Sequence, residues 1–162
     1  MNKIVNCLWF DSNAEEAVNL YISLFPNSGI SKTSYYSKEG QEFHHKPEGS
    51  VMMIEFNLNG QNFLAMNAGP AFKFNESISL MINCKDQAEI DHYWNGLTAN
   101  GGKESMCGWL KDKFGLSWQV IYEGWGKLVT DPDKEKVGRL LSALYKMRKP
   151  EMDVLMKAFN GE

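Results

Sequence analysis

No apolar run in this 162-residue chain approaches the roughly 20 residues that a helix needs to cross a bilayer. The N-terminal MNKIVNCLWF passes at once into polar DSNAEE, so it reads as a strand rather than a secretory leader. Cysteine is scarce. Cys7, Cys84 and Cys107 are too few and too scattered for a disulfide framework or a paired-cysteine zinc site, and they are expected as buried free thiols in a reducing, cytoplasmic setting. Positive charge is not in excess either: the formal net charge is -3, which removes the general electrostatic basis for binding nucleic acid. The basic YKMRK cluster lies between DPDKEK and PEMD and reads as a mixed, solvated face. Neither a nucleic acid nor a membrane is therefore expected as a partner. What is present, 43% apolar and 23% charged residues, is ordinary globular usage, in a chain long enough to bury roughly 70% of its unfolded surface.

The pattern of elements comes round twice. IVNCLWF alternates as a strand does, and Ser12-Asn13-Ala14-Glu15 offers a capping box for a helix over about 13–25. Ala14, Ala17, Val18, Tyr21, Leu24 and Phe25 give that helix one apolar stripe, and Pro26 with Asn27-Ser28-Gly29 stops it. SKTSYYS follows as a strand, then a polar loop holding His44 and His45, then SVMMIEFNL and QNFLAMN around Asn59-Gly60, a strong tight-hairpin signal. Next SISLMINC reads as a strand, and Asp86-Gln87-Ala88-Glu89 repeats the cap. Ile90, Tyr93, Trp94 and Leu97 form a second stripe that ends at Gly101-Gly102. Gly115 precedes LSWQVIY much as Gly60 precedes QNFLAMN. The expected architecture is α+β: two βαβββ modules, about 1–70 and 75–124, in a single domain. A C-terminal helical appendage over about 131–160 follows. It holds a helix over 134–147, carrying Val137, Leu140, Leu141, Leu144 and Tyr145, and a short last helix opened by Pro150.

Three long segments carry a family resemblance. CLWFDSNAEEAVNLYISLFPNS, FNLNGQNFLAMNAGPAFKFNESISLMINCKDQAEIDHYW and CGWLKDKFGLSWQVI together resemble the PhnB-like branch of the vicinal-oxygen-chelate superfamily, which includes glyoxalases, bleomycin-resistance proteins and ring-cleaving dioxygenases. The resemblance implies curved sheets enclosing a cleft, and a homodimer. It also brings an old label, 3-demethylubiquinone methyltransferase. No Gly-rich turn follows the first strand as nucleotide-type cofactor folds require, so the label is given little weight.

In metal-using relatives the resemblance implies ligands, His or Glu, on the first and last strands of each module. Counting back from Tyr21 puts Asn6 at the first such position, and Ser79 is the polar candidate on the corresponding strand of the second module. KDKFGLSWQVIY resembles a turn followed by a Glu-bearing strand, with Gln119 in the place of the Glu; the same count beyond Gly60 reaches Leu64. Amides, hydroxyls and aliphatics are poor donors for a hard divalent ion, so no cofactor is expected and a divalent metal is disfavoured. His44 and His45 read as a surface pair.

Cys107 with His92 as base would make a nucleophile, but nothing in the sequence brings the two together, and a structural thiol is the expectation. Glu55, the one acid inside an expected strand, is expected to face water. What is left is an apolar cleft for a small organic molecule. Its lining candidates are Asn6, Met66, Phe74, Ser79, Trp109 and Gln119, with Trp9 and Phe10 nearby and Trp118 packed behind Gln119. Two readings stand: a homodimer that binds the molecule without a metal, or a metal-dependent lyase, isomerase or dioxygenase acting on neighbouring oxygens.

Overall fold

A computed structural model describes residues 3–162, which divide into two compact units, one running to Phe74 and the other from Asn75 to Glu162. The first unit runs β1 (Asn6–Phe10), α1 (Ala14–Leu24), β2 (Gly29–Tyr35), a short α2 (Gln41–His44), β3 (Val51–Leu58) and β4 (Gln61–Asn67). Its sheet has the order β1-β4-β3-β2, with β1 parallel to β4 and the other pairs antiparallel. The Asn59-Gly60 hairpin forms as its sequence predicts, both residues at positive φ (46° and 86°), because that twist matches the flanking strands.

Alternation along these strands sorts the sheet into two faces. Leu8, Phe10, Ile54, Phe56, Phe63 and Ala65 are buried on the side where α1 packs with Ala14, Ala17, Val18 and Tyr21. The start of α1 differs from the expected capping box. Asn13 is the N-cap and makes no side-chain cap bond; instead the Ala14 N–H donates to Asn67 Oδ1 at 2.9 Å, from the end of β4. Asn67 Nδ2 in turn donates to Glu15 Oε2 at 3.2 Å and to the Val51 carbonyl at 3.1 Å. This nearly buried amide ties helix to sheet, a task that no local motif could announce.

The second unit repeats the plan with shorter strands: β5 (Leu80–Cys84), α3 (Gln87–Thr98), a 3-10 turn (Ala99–Gly101), β6 (Lys103–Glu104), β7 (Trp109–Lys111) and β8 (Ser117–Tyr122). The order is β5-β8-β7-β6, with β5 parallel to β8. Here the expected cap is present, Asp86 Oδ1 accepting the Glu89 N–H at 2.9 Å. Ile90, Trp94 and Leu97 of α3 pack with Ile82, Leu110, Trp118 and Val120. Neither sheet closes into a barrel; the fold is α+β with two four-stranded mixed sheets.

The C-terminal segment contains three helices rather than two. α4 (Trp125–Val129) lies before α5 (Lys134–Leu144) and α6 (Met152–Asn160). The long helix stops at Leu144, short of the expected 147, and α6 starts after Pro150 with Glu151 as its N-cap. Leu140, Leu144, Leu155 and Phe159 form a small core of their own, against which Cys107 packs. The segment is clipped to its own unit. The Cys107 and Gly108 amides donate to the Met147 and Arg148 carbonyls at 2.9 and 2.8 Å, Met152 N–H donates to Gln87 Oε1 at 2.8 Å, and Lys149 Nζ sits 2.6 Å from Asp91. The Lys149 hydrogen bond, followed by one from Gln87, holds the Asp91 carboxyl below its ordinary range.

Candidate functional site

Each sheet has one face turned away from its helix, and the register decides which side chains stand there. In the first unit Cys7, Leu64, Glu55 and Lys32 form one cross-strand row, and Trp9, Met66, Met53 and Ser34 form the next. In the second unit Met81, Gln119 and Trp109 form a row, with Ser117 and Lys111 in the row beside it.

The candidates from the sequence fall into two groups. Ser79, Trp109 and Gln119 come together in the second unit: Trp109 is the register partner of Gln119, and Gln119 Nε2 donates to Ser79 Oγ at 2.8 Å. Met66 stands on the corresponding face of the first sheet, where Cys7 Sγ contacts its sulfur at 3.6 Å. Asn6 is on the other side. It pairs with Phe63 and shares the row parity of Leu8 and Phe10, so the first-strand position beside Leu64 belongs to Cys7. Phe74 also leaves this face, meeting the buried Phe10 ring edge-on at 5.2 Å. Trp9 stays on it, its indole N–H donating to the Gly69 carbonyl at 2.8 Å and its ring edge-on to Phe72 at 4.9 Å. Trp118 lies behind Gln119 as alternation requires, wholly buried, its indole N–H donating to Asp112 Oδ2 at 2.9 Å.

The four positions on the first and last strands are therefore Cys7 with Leu64 and Met81 with Gln119. A thiol, an alkyl group, a thioether and an amide do not fit a hard divalent cation, which prefers carboxylate or imidazole. Cys7 and Glu55 flank Leu64, but two strand spacings, about 10 Å, separate their backbones. Among the described residues no group of three or more His, Cys, Asp or Glu side chains is placed to hold a metal ion. His44 is tilted against Tyr36 at 4.5 Å, with Nδ1 accepting the Lys46 N–H at 3.0 Å, while exposed His45 ends the α2 turn at φ 53°.

The thiols differ from their expected uniform burial. Cys84 is fully buried, and desolvation, then the negative charges of Glu89 and Asp86, push its thiol up to about 12. Cys107 is half-buried against the C-terminal core, and Cys7 is exposed at the first position of the row it shares with Leu64. Alkylation at pH 8 should therefore modify Cys7 first and Cys84 only after unfolding. Equal rates at Cys7 and Cys84 in the native protein, read by peptide mass mapping, would contradict this ordering.

Cys7, Met81 and Ser117 are among the residues of the uncovered faces that are missing from the sequence-derived set. Ser117 was within reach, since it stands two residues before Gln119 and must share its face.

The family described as 3-demethylubiquinone-9 3-methyltransferase matches residues 2–121. The chain belongs to this family. Among solved structures, the PhnB protein of Bacillus cereus, which carries the same methyltransferase designation, is 35% identical, with 74% of this chain and 99% of that one covered and a TM-score of 0.65. A Pseudomonas aeruginosa protein is 20% identical over 75% of this chain and 98% of its own, with a TM-score of 0.60. A fosfomycin resistance protein of Listeria monocytogenes, a glutamate-to-glutamine mutant complexed with Mn(II) and a dihydroxypropylphosphonic acid, is 15% identical over 76% of this chain and 94% of its own, with a TM-score of 0.52. That last likeness is one of fold alone. No curated protein matches the chain.

Proposed function

We propose that this PhnB-like protein binds a small organic molecule against the uncovered sheet faces, without a divalent metal ion. The observation that carries it is the Gln119–Ser79 pair. An amide fixed by a hydroxyl at 2.8 Å, facing Trp109 across the strand, offers neutral hydrogen bonding beside a large aromatic surface. The methyltransferase designation of the family is not carried over. The turn from β1 to α1 is Asp11-Ser12-Asn13, without the glycines that allow a nucleotide-type cofactor to approach a helix N-terminus. A homodimer is part of the proposal, supported by large apolar side chains left exposed, Ile78 and Phe72 among them. So is a cytoplasmic setting, supported by three free cysteines. Of the membrane the structure says only that no helix among the described residues is long and apolar enough to cross one.

Native mass spectrometry of freshly purified protein tests the proposal. The expected spectrum contains a species heavier than the bare polypeptide by the mass of one organic molecule per chain. Gln119→Ala should weaken its retention about tenfold, the value of one well-made hydrogen bond. Bare chains throughout, or a Gln119→Ala variant that retains the molecule as well as the wild type, would count against it.

A further inference from the structure

The second unit has a feature that small-molecule binding in general does not require. Ser117 is 0% exposed, yet its Oγ has no hydrogen-bond partner among the described residues. Native proteins pair nearly all such groups, because a buried hydroxyl with no partner opposes folding. Ser117 lies opposite Lys111 in the β7–β8 ladder and in the row next to Trp109. These three side chains, with Glu76 and Lys103, line a hollow of about 440 Å³, a volume within the range of small-molecule sites.

Lys103, exposed on the short β6, adds a cation at this hollow that solvent screens, and the other charges there are already matched. Lys111 Nζ is 2.6 Å from Glu76 Oε1. Glu104, also at the hollow, accepts the Trp94 indole N–H at 2.9 Å and stands 3.7 Å from Arg148. An anion entering here would compete with Glu76 for Lys111 and meet Glu104 as a like charge. A neutral polar atom meets neither obstacle and finds in Ser117 a hydroxyl that can donate or accept.

We propose that this hollow takes a flat, uncharged ring bearing a hydroxyl or carbonyl group, its polar atom on Ser117 Oγ and its ring against the Trp109 indole. The proposal rests on the small-molecule function above and goes beyond it by naming the ligand class and the anchoring side chain. The Lys111–Glu76 pair lies over the rim, with the lysine stem adding apolar wall.

The test is an NMR titration of the full chain with five one-ring probes: phenol and benzamide, which are neutral and polar; benzoate and phenylphosphonate, which are anionic; and benzene, which has no polar atom. Phenol and benzamide should shift the Ser117 amide and the Trp109 indole saturably, with affinity at least tenfold above either anion. Ser117→Ala should fold with a Tm no lower than wild type, since it removes an unmatched hydroxyl, and should lose most of the preference for phenol over benzene. Trp109→Leu is the companion variant and should weaken phenol and benzene alike. Anions binding as tightly as phenol, or an unchanged phenol preference in Ser117→Ala, would overturn the proposal. Saturable shifts confined to Trp9 and Met66 would overturn it while leaving small-molecule binding intact, whereas no saturable shift anywhere would remove both.

Discussion

Replacing Asp112 by alanine should destabilise the protein by about 3–5 kcal/mol, seen as a fall in the urea midpoint with little change in slope. Asp112 is only 3% exposed and its carboxylate organises the turn before β8. Oδ1 accepts the Phe114 and Leu116 amides at 2.9 and 3.0 Å, and Oδ2 accepts the Trp118 indole N–H at 2.9 Å. The backbone closes the same turn, with Asp112 N–H donating to the Leu116 carbonyl and Gly115 N–H to the Asp112 carbonyl, both at 3.0 Å. Alanine removes one acceptor group from three donors, two of which, the Leu116 amide and the Trp118 indole N–H, make buried hydrogen bonds. Asparagine keeps the Oδ1 role but turns an N–H toward the indole N–H, so it should recover only a minority of the loss. The consequence reaches the candidate site, because Trp118 and Gln119 are neighbours on β8 and the buried indole fixes the face that Gln119 presents. A loss below about 1 kcal/mol for Asp112→Ala would show that the turn holds without its carboxylate.

Gly108→Ala should cost about 2–4 kcal/mol and release the C-terminal helices before the rest of the unit unfolds. Gly108 sits at φ +84°, where a side chain is strained, and an added Cβ would lie 2.6 Å from the Val120 carbonyl oxygen and 3.2 Å from Pro150 Cγ. Its carbonyl accepts the Val120 N–H at 2.8 Å and its own N–H donates to the Arg148 carbonyl at 2.8 Å, so one residue joins β8 to the chain entering α6. Backbone that moves to admit a methyl group loosens both bonds. Hydrogen exchange should rise first across 147–160, with the core of the sheet following. Gly138→Ala is the control: it is an exposed position in α5 with nothing within 4 Å of a new Cβ, and it should stabilise by up to about 1 kcal/mol. Equal effects from the two substitutions would remove the steric explanation.

The two-module plan was legible because its signals are local. The Asn59-Gly60 turn, the stripes of α1 and α3, and the Asp86 cap each lie within a few residues of the structure they specify. The true cap of α1 was not legible, since Asn67 reaches Ala14 from 53 residues away and its alternation alone marks it only as a strand residue. The first-strand position failed for a different reason. Counting back from Tyr21 runs through the turn between strand and helix, and one residue of slip there exchanges Asn6 for Cys7 and with it the face of the sheet. Gln119 could be placed by its count beyond the turn marked by Asp112 and Gly115, whereas Trp109, on the strand before that turn, could be named only from the segment that carries the family resemblance. The face of Ser117 was legible from Gln119, but its role as an anchor was not. A serine two residues from Gln119 becomes notable only when its burial and its unpaired oxygen are known.

Cys7, Leu64, Met81 and Gln119 stand on the first and last strands of the two sheets, and none of the four offers a carboxylate or imidazole, so a divalent ion should not be retained there. Elemental analysis of protein purified without chelators, repeated after incubation with Mn(II), Ni(II) or Zn(II) and gel filtration, measures this directly. The expected content is well below one-tenth of an equivalent of any of these metals per chain, unchanged in Gln119→Ala. One equivalent that survives gel filtration and is lost in Gln119→Ala would contradict it.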